Sequence, residues 1–264
     1  MNKKILVTGS NGQLGKTIEE LYAHNSIELD FFFVSKEELD ITSKNQIQFF
    51  FESRNFDYCI NCAAYTNVEQ AEKTPDRAYK VNAEGVKNLA EVCNVNNIIL
   101  IHISTDYVFD GEKTEPYKIS DETNPINEYG KSKLQGENHI KAILDNYFII
   151  RTSWLYSKKH GNNFYKTILK KAKVEKELHI STDQKGAPTD TVNLSEFIIE
   201  LIKNNNMSFG LYHFCDESTM TWYDFAKRIL IENKLLDRIN LVKTDKFKTL
   251  ASRPLYSVLS KKRE

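Results

Sequence analysis

The feature that most constrains this chain is a succession of short apolar strand segments separated by helical stretches. None of these strand segments alternates apolar with polar residues, so both faces of each strand should be buried. This order predicts an α/β fold of the Rossmann type, with a doubly wound parallel sheet that carries helices on both faces. The predicted strands of the first half are 5–7, 31–34, 58–62, 98–103 and 147–152.

The pattern loosens after Thr152, where helical stretches alternate with shorter strand candidates. We therefore expect an NAD(P)-binding Rossmann domain formed by residues 1–155 together with about 178–205. A smaller C-terminal substrate-binding part is expected from about 156–177 and 206–264.

Charge and composition exclude several classes of function. The chain has 36 basic and 36 acidic side chains, whereas a nucleic-acid-binding surface needs a basic excess. The longest apolar runs have four residues, and a membrane-spanning helix needs about 20. The 4 cysteines are sparse and lie in apolar segments, which favours a cytoplasmic protein over a disulfide scaffold.

The first predicted strand leads directly into a glycine-rich turn and a helix. Gly9, Gly12 and Gly15 lie in this turn, at positions suited to a tight turn, to close approach of a pyrophosphate and to packing of the helix on the strand. Free amides at the start of the helix can bind the anion. The segment therefore predicts a dinucleotide site.

Two Tyr-x-x-x-Lys pairs place a phenol and an ammonium one helical turn apart, Tyr129 with Lys133 and Tyr223 with Lys227. A neighbouring lysine can lower the pKa of a phenol, which can then donate a proton to a carbonyl under reduction. Only the first pair opens a helix between two strands of the predicted parallel sheet. The second pair is interpreted as ordinary core and surface positions.

Polar residues follow the predicted strand 98–103. The hydroxyls of Ser104 and Thr105 lie where a parallel strand ends, so they can hydrogen-bond a substrate carbonyl near the phenol.

These segments, taken in order, resemble the dTDP-4-dehydrorhamnose reductases, which are extended short-chain dehydrogenase/reductases. The family reduces the C4 ketone of dTDP-4-dehydro-β-L-rhamnose to dTDP-L-rhamnose, so the resemblance implies an enzyme of dTDP-rhamnose biosynthesis. The similar segments are TGSNGQLG, LDIT, INCAAYTNVEQAE, VNAEGVKNLA, STDYVFDG, NEYGKSK, RTSWLY, GNNF, DQKGAPT and SRP.

The resemblance implies Tyr129 as the proton donor, Lys133 as its partner and ligand of the nicotinamide ribose, and Thr105 as a group near the ketone. Further sugar contacts are implied at Asp106 and Trp154. Arg253 is the candidate partner of the substrate diphosphate. The remaining cofactor contacts are implied at Gly12, Gln13, Leu14, Asp40, Ile41, Ala64, Tyr65 and Thr66.

Coenzyme choice depends on the end of the second predicted strand. An NAD-specific site usually has an acid about 20 residues beyond the glycine loop, but Ser35 and Lys36 stand there. We therefore expect NADPH to be used at least as well as NADH. The acids Glu37 and Glu38 follow closely, so the coenzyme preference depends on the residue at which the strand ends.

Other expectations concern partners. Some members of the family form a metal-bridged dimer through an acid after the glycine loop, but Lys16 and Thr17 stand there. We expect no metal, and a monomer or a weak homodimer. The alternatives are another nucleotide-sugar 4-ketoreductase or epimerase of the superfamily, or a non-catalytic regulatory subunit resembling the β subunit of methionine adenosyltransferase.

Overall fold

The computed structural model describes residues 2–24, 28–216, 219–245 and 249–261. The strands are β1 (Lys3–Thr8), β2 (Leu29–Val34), β3 (Tyr58–Asn61), β4 (Ile99–Thr105), β5 (Tyr147–Thr152), β6 (Leu155–Tyr156), β7 (Glu177–Ser181), β8 (Lys185–Gly186), β9 (Thr189–Asp190), β10 (Gly210–His213), β11 (Met220–Thr221) and β12 (Asn240–Thr244). The α-helices are α1 (Gln13–Tyr22), α2 (Lys44–Glu52), α3 (Val68–Lys73), α4 (Pro75–Tyr79), α5 (Gly85–Val95), α6 (Glu128–Ile143), α7 (Phe164–Lys171), α8 (Thr191–Lys203) and α9 (Trp222–Glu232).

Six strands in the described part of the chain form one parallel sheet in the order β10-β5-β4-β3-β1-β2. The chain runs from β1 outward to β2 and then places β3 on the other side of β1. Ligands of open α/β sheets bind outside the carboxyl ends of the strands at such a reversal. The predicted Rossmann-type sheet is confirmed, and its order places the cleft at the loops that follow β1 and β3.

Both faces of the sheet are buried, as the lack of alternation in the strands predicts. Helices α2, α5 and α6 contribute to the core on one face, and α1 and α8 to the core on the other. Ile5 and Leu6 are adjacent in β1 and lie in opposite cores, because successive side chains of a strand point to opposite faces.

The helix expected over 76–92 is interrupted. A π-helical turn, Lys80–Glu84, separates α4 from α5. Its Asn82 is buried and hydrogen-bonds both the backbone of Tyr65 and the hydroxyl of Ser132. These contacts join the loop after β3 to α6. A π-turn of this kind often marks a functional site.

The later segments build a second core around α7 and α9, which pack together beside the parallel pair β7 and β12. The placement of two strands differs from the expected division of the chain. β10 extends the central sheet beyond β5, which would otherwise be left with an unpaired edge. Residues 178–205 are expected to belong to the Rossmann domain, but β7 pairs with β12 of the C-terminal part. In the part of the chain that the structure describes, no helix is long and apolar enough to cross a membrane.

Candidate active site

A cleft follows the carboxyl edge of the sheet at the reversal of strand order. It consists of an inner cavity of about 480 Å³ and an outer cavity of about 330 Å³. Gly12, Cys62 and Ala64 line both cavities, so the two are neighbouring halves of one cleft. The loops after β1 and β3 therefore form its middle.

The glycine loop brings backbone close to this cleft. Gly9 has a φ of 65°, and a Cβ there would lie 2.6 Å from the backbone nitrogen of Ala63, so only glycine fits without strain. Gly12 precedes α1 as its N-cap and provides no side chain to occupy the first amides. Gly15 lies behind the loop, where α1 passes close to Ser10. The arrangement leaves the start of α1 open to an anion.

Tyr129 and Thr105 meet on the wall of the inner cavity. Tyr129 is in the first turn of α6, whose N-cap Asn127 accepts a hydrogen bond from the backbone of Gly130. Thr105 is the last residue of β4, and its side chain lies close to the Tyr129 phenol. Loss of water around the phenol raises the pKa of Tyr129 to about 12, although the nearby Thr105 hydroxyl opposes the rise. The phenol is therefore a proton donor at neutral pH.

Lys133 lies one turn further along α6 and is buried. Its Nζ donates a hydrogen bond of 2.7 Å to the carbonyl oxygen of Ile103 and lies 3.3 Å from Nε2 of His102. Burial lowers the pKa of Lys133 to about 8. The Tyr-x-x-x-Lys spacing predicts a Tyr129 pKa below its ordinary value, but the pKa does not lie there, because burial of the phenol outweighs the other effects on it.

Asp106 follows Thr105 and faces the same cavity. Burial raises its pKa to about 7, against the opposing hydrogen bonds from Ser257 and Thr105. Its Oδ1 accepts a hydrogen bond from Thr105, whereas its buried Oδ2 has no partner among the described residues. Such an atom is available to a sugar hydroxyl.

Trp154 closes the cavity on the side of the second core. It has a φ of 45°, and its ring stacks on Trp222 at 3.5 Å between centroids with 9° between planes. Gly186 lies below the indole, where a Cβ would be 2.6 Å from Cε2 of Trp154. The DQKGAPT segment therefore needs glycine at 186 to let the indole lie flat.

Gln13 connects the glycine loop to the segment after β6. Its side-chain amide donates to the carbonyl oxygen of Leu155 at 3.0 Å and accepts from Asn163 at 3.1 Å. Gly161 and Asn162, from the GNNF segment, line the inner cavity beside it.

The outer cavity is bordered by both charges on which coenzyme choice depends. Lys36 and Glu37 line it together with Asp40. Strand β2 ends at Val34, as expected. Ser35 does not line the cavity: its side chain hydrogen-bonds to Glu37, and its backbone nitrogen donates to Glu38. An ammonium and a carboxylate thus stand together at this site.

Arg253 lies outside the residues that line the two cavities. Its Nη2 is 2.7 Å from Oε1 of Glu69, and the other carboxylate oxygen of Glu69 accepts from the backbone of Leu250. The positive charge of Arg253 acts on the nearby Tyr107, whose ring contacts Tyr129 edge to face. Arg253 is thus close to the cleft but already paired.

The structure brings most of the sequence-predicted residues together. Eight of them line the inner cavity but not the outer one: Gln13, Leu14, Thr66, Thr105, Asp106, Tyr129, Lys133 and Trp154. Five others line the outer cavity but not the inner one: Gly9, Lys36, Asp40, Ile41 and Tyr65. The exceptions are Gly15, Ser35 and Arg253.

Sequence reasoning missed several residues around the cleft. Cys62 ends a predicted strand, and Ala63 lies in one of the segments that carry the family resemblance. Ile103 and His102 lie within the predicted strand 98–103. Glu137 is buried on α6 with its carboxylate held by Arg151 and Ser104. A charged residue one turn beyond Lys133 on the same helix face was the available signal for it.

Comparisons with known proteins agree with this geometry. The family model described as RmlD substrate binding domain matches residues 3–264. A dTDP-4-dehydrorhamnose reductase of Aggregatibacter actinomycetemcomitans is 39% identical over 97% of this chain and 90% of its own length. A dTDP-4-keto-6-deoxy-D-glucose reductase of Streptomyces niveus is 34% identical over 98% of this chain and 89% of its own. The crystal structure of a Bacillus anthracis dTDP-4-dehydrorhamnose reductase in complex with NADP superposes with a TM-score of 0.95 at 39% identity, covering 99% of this chain and 92% of that one.

Proposed function

The chain belongs to the family of the RmlD substrate-binding domain, and we propose that its cleft reduces the C4 ketone of dTDP-4-dehydro-β-L-rhamnose to dTDP-L-rhamnose with NADPH or NADH. The observation that carries the proposal is the Tyr129 phenol beside Thr105 on the wall of the inner cavity, with Lys133 on the same cavity. That cavity begins at the glycine loop, so a proton donor and a dinucleotide site share one cleft.

The residues present fit a dinucleotide. The cradle at Gly9 leaves no room for a Cβ, and the open amides at the start of α1 suit a pyrophosphate. Ile41, Ala64 and Tyr65 border the outer cavity, where an adenosine would lie. A bound reduced nicotinamide supplies the hydride of the reaction. The NADP complex of the Bacillus anthracis relative supports NADPH as the coenzyme.

The other half of the reaction is proton transfer by this chain. As C4 of the ketone becomes tetrahedral, its oxygen gains negative charge and needs a proton. Tyr129 is proposed to donate that proton, and the hydroxyl of Thr105 holds the oxygen in line with the phenol. An ammonium at Lys133 stabilises the tyrosinate that remains. Asp106 and Trp154 would contact the sugar on its other sides.

A second candidate is reduction of another dTDP-linked 4-keto-6-deoxy sugar. It is favoured by the similarity to the dTDP-4-keto-6-deoxy-D-glucose reductase of Streptomyces niveus. An epimerase of the same superfamily would use the same cleft but would return the hydride to its substrate. A regulatory subunit needs no proton donor, so Thr105, Tyr129 and Lys133 together on one cavity favour an enzyme. We propose that the protein works in the cytoplasm as a monomer or a weak homodimer.

One experiment separates these functions. Purified protein is mixed with NADPH and each of a panel of dTDP-linked 4-keto sugars, the loss of reduced-nicotinamide absorbance is followed, and the product is identified by NMR. Stoichiometric oxidation with dTDP-L-rhamnose as product supports the proposal. Turnover of only another sugar supports the second candidate, an isomerised product without net oxidation identifies an epimerase, and no turnover with any sugar contradicts an enzymatic role.

A further inference from the structure

A row of buried polar side chains crosses the sheet directly below the inner cavity. Thr8 of β1 pairs in register with Asn61 of β3, which pairs with His102 of β4. The Thr8 hydroxyl donates to Oδ1 of Asn61 at 2.8 Å, Nδ2 of Asn61 lies 3.1 Å from Nδ1 of His102, and Nε2 of His102 lies 3.3 Å from Nζ of Lys133. All four residues are buried. Neither the glycine loop nor the Tyr129 chemistry requires Thr8, Asn61 or His102.

The backbone determines which way the Asn61 amide points. The amide nitrogen of Ala63 donates to Oδ1 of Asn61 at 3.1 Å, and a backbone N–H can only donate. A flipped Asn61 would place its NH₂ group against that N–H. The oxygen of Asn61 therefore faces Ala63, and its NH₂ group faces His102.

The orientation of Asn61 in turn determines the tautomer of His102. An NH₂ group can only donate, so Nδ1 of His102 accepts and carries no proton. Burial lowers the pKa of His102 well below its usual value, and the charge of Lys133 lowers it further, so the ring is neutral. The single ring proton is then on Nε2, the atom that faces Lys133.

An N–H that points at Nζ disfavours an ammonium and favours an amine, whose lone pair can accept it. Two other titratable groups act on Lys133. Glu137, one turn further along α6, favours the ammonium but is held by Arg151. The thiol of Cys62, after β3, has its pKa raised by burial and stays protonated. On α6 itself, Tyr129 lies one turn before Lys133.

We propose that His102, held by Asn61 as the Nε2–H tautomer, is a positioning residue that points its N–H at Nζ of Lys133 and thereby sets the highest pH at which the reduction proceeds. This inference rests on the proposed function for its effect on turnover. The tautomer itself depends on the fold alone.

The first test is the alkaline side of the pH profile of kcat/KM. Wild-type activity falls as pH rises past the pKa of Lys133, about 8, because the amine no longer stabilises the tyrosinate. His102→Gln removes the fixed N–H, and Asn61→Asp presents an acceptor to Nδ1 so that the proton moves there and Nε2 can accept from Lys133. Both substitutions favour the ammonium, so the midpoint of the fall moves up by about one pH unit.

The matched control is His213→Gln, which removes another buried imidazole, one that contacts the backbone of Tyr117. Its profile should superpose on the wild-type profile. A purely structural role for His102 would lower kcat/KM without moving the midpoint. Unmoved midpoints in both His102→Gln and Asn61→Asp would overturn the proposal.

The second test needs neither turnover nor a stable variant. The imidazole ¹⁵N shifts of the wild-type protein report protonation of each ring nitrogen. Two buried rings should lack titration between about pH 6 and about pH 9. His213 faces the carbonyl oxygen of Tyr117 with Nδ1 and should carry its proton there, whereas His102 should show a bare Nδ1 and a protonated Nε2. A His102 that carries its proton on Nδ1, or that titrates in this range, contradicts the inference. Failure to reduce any dTDP sugar would contradict the proposed function and leave this spectrum unchanged.

Discussion

At the scale of single residues, reduction needs a proton donor that keeps its proton until the hydride arrives. Burial raises the pKa of Tyr129 to about 12, so the phenol is neutral in the resting site. Thr105 lies beside it on the inner cavity, and Lys133 lies one turn further along α6 with its Nζ on the backbone of β4. The three side chains come from two neighbouring elements, and their roles in the reaction are proposals.

We predict that Tyr129→Phe lowers kcat by roughly 10²-fold or more, because the alkoxide loses its proton donor. Coenzyme affinity should change little, since the ring is retained. Steady-state kinetics and coenzyme titration measure both effects. Tyr223→Phe is the control, because Tyr223 lies on α9 with its hydroxyl 3.4 Å from the carbonyl oxygen of Leu241. Comparable losses in the two variants would refute the choice of pair.

Arg253 offers a second prediction at this scale. Its guanidinium is paired with Glu69, its Nε has no partner among the described residues, and its role as partner of the substrate diphosphate is a proposal. We expect Arg253→Ala to raise KM for the dTDP sugar by about tenfold and KM for the coenzyme much less. Arg54→Ala, at an exposed residue just after α2 that packs against Phe50, should change neither KM. An unaltered sugar KM in Arg253→Ala removes this residue from the site.

At the scale of elements, the loop after β2 is proposed to set the balance between the two coenzymes. Lys36 attracts a 2′-phosphate, and Glu37 beside it repels one. We predict kcat/KM with NADPH equal to or above that with NADH. Lys36→Glu should reverse the preference, and Glu37→Gln should strengthen it. Kinetics with both coenzymes measure the ratio. A wild-type preference of tenfold for NADH, about 1.4 kcal/mol, would contradict the prediction.

A buried ion pair joins three elements below the site. Glu137 on α6 accepts from Arg151 on β5 at 2.9 and 2.7 Å and from Ser104 on β4 at 2.6 Å. Glu137→Gln would leave the guanidinium buried without a counter-charge. We expect the free energy of unfolding to fall by about 3–5 kcal/mol, measured by urea denaturation. Glu128→Gln, which breaks the exposed pair with Lys131, should cost less than about 1 kcal/mol.

The same pair predicts a dependence on pH. Burial opposes ionisation of Glu137, but the hydrogen bonds and charge of Arg151 outweigh it, so its pKa lies below the ordinary 4.5. A carboxyl with a lowered pKa stabilises the fold fully above the ordinary value and loses that effect as pH falls through the folded value. The stability difference between wild type and Glu137→Gln should therefore be complete at neutral pH and shrink below about pH 4.5. A difference that grows in acid would contradict this assignment.

At the scale of the whole molecule, the cleft lies between the central sheet and the second core, and an indole pair connects them. Trp154 lines the inner cavity, and Trp222 belongs to the core around α7 and α9. We predict that Trp222→Leu raises KM for the sugar by about 2- to 10-fold, because loss of the stack, about 0.5–1.5 kcal/mol, frees Trp154 from its fixed position. The coenzyme KM should stay within twofold of wild type. Equal changes in both would show that the whole cleft had loosened.

Five of the six strands of the central sheet and the middle of the cleft could be predicted from the amino-acid sequence alone. Uninterrupted apolar strands can be buried only on both faces of a parallel sheet, and the glycines after β1 suit only a tight, open turn. Tyr129 and Lys133 could be recognised because helical spacing and the preceding strand place them at the carboxyl edge. These patterns involve residues close together in the sequence, so they can be recognised without knowledge of the fold.

The surroundings of those residues could not be predicted from the sequence. The Tyr129 pKa depends on burial, and the tautomer of His102 depends on Ala63, which is 39 positions away in the sequence. The pairing of Arg253 with Glu69, the transfer of β10 to the central sheet and the turn at Asn82 likewise come from partners distant in sequence. Burial and hydrogen bonding depend on which segments meet in the folded chain. The spacing of residues in the sequence does not show which distant segments meet.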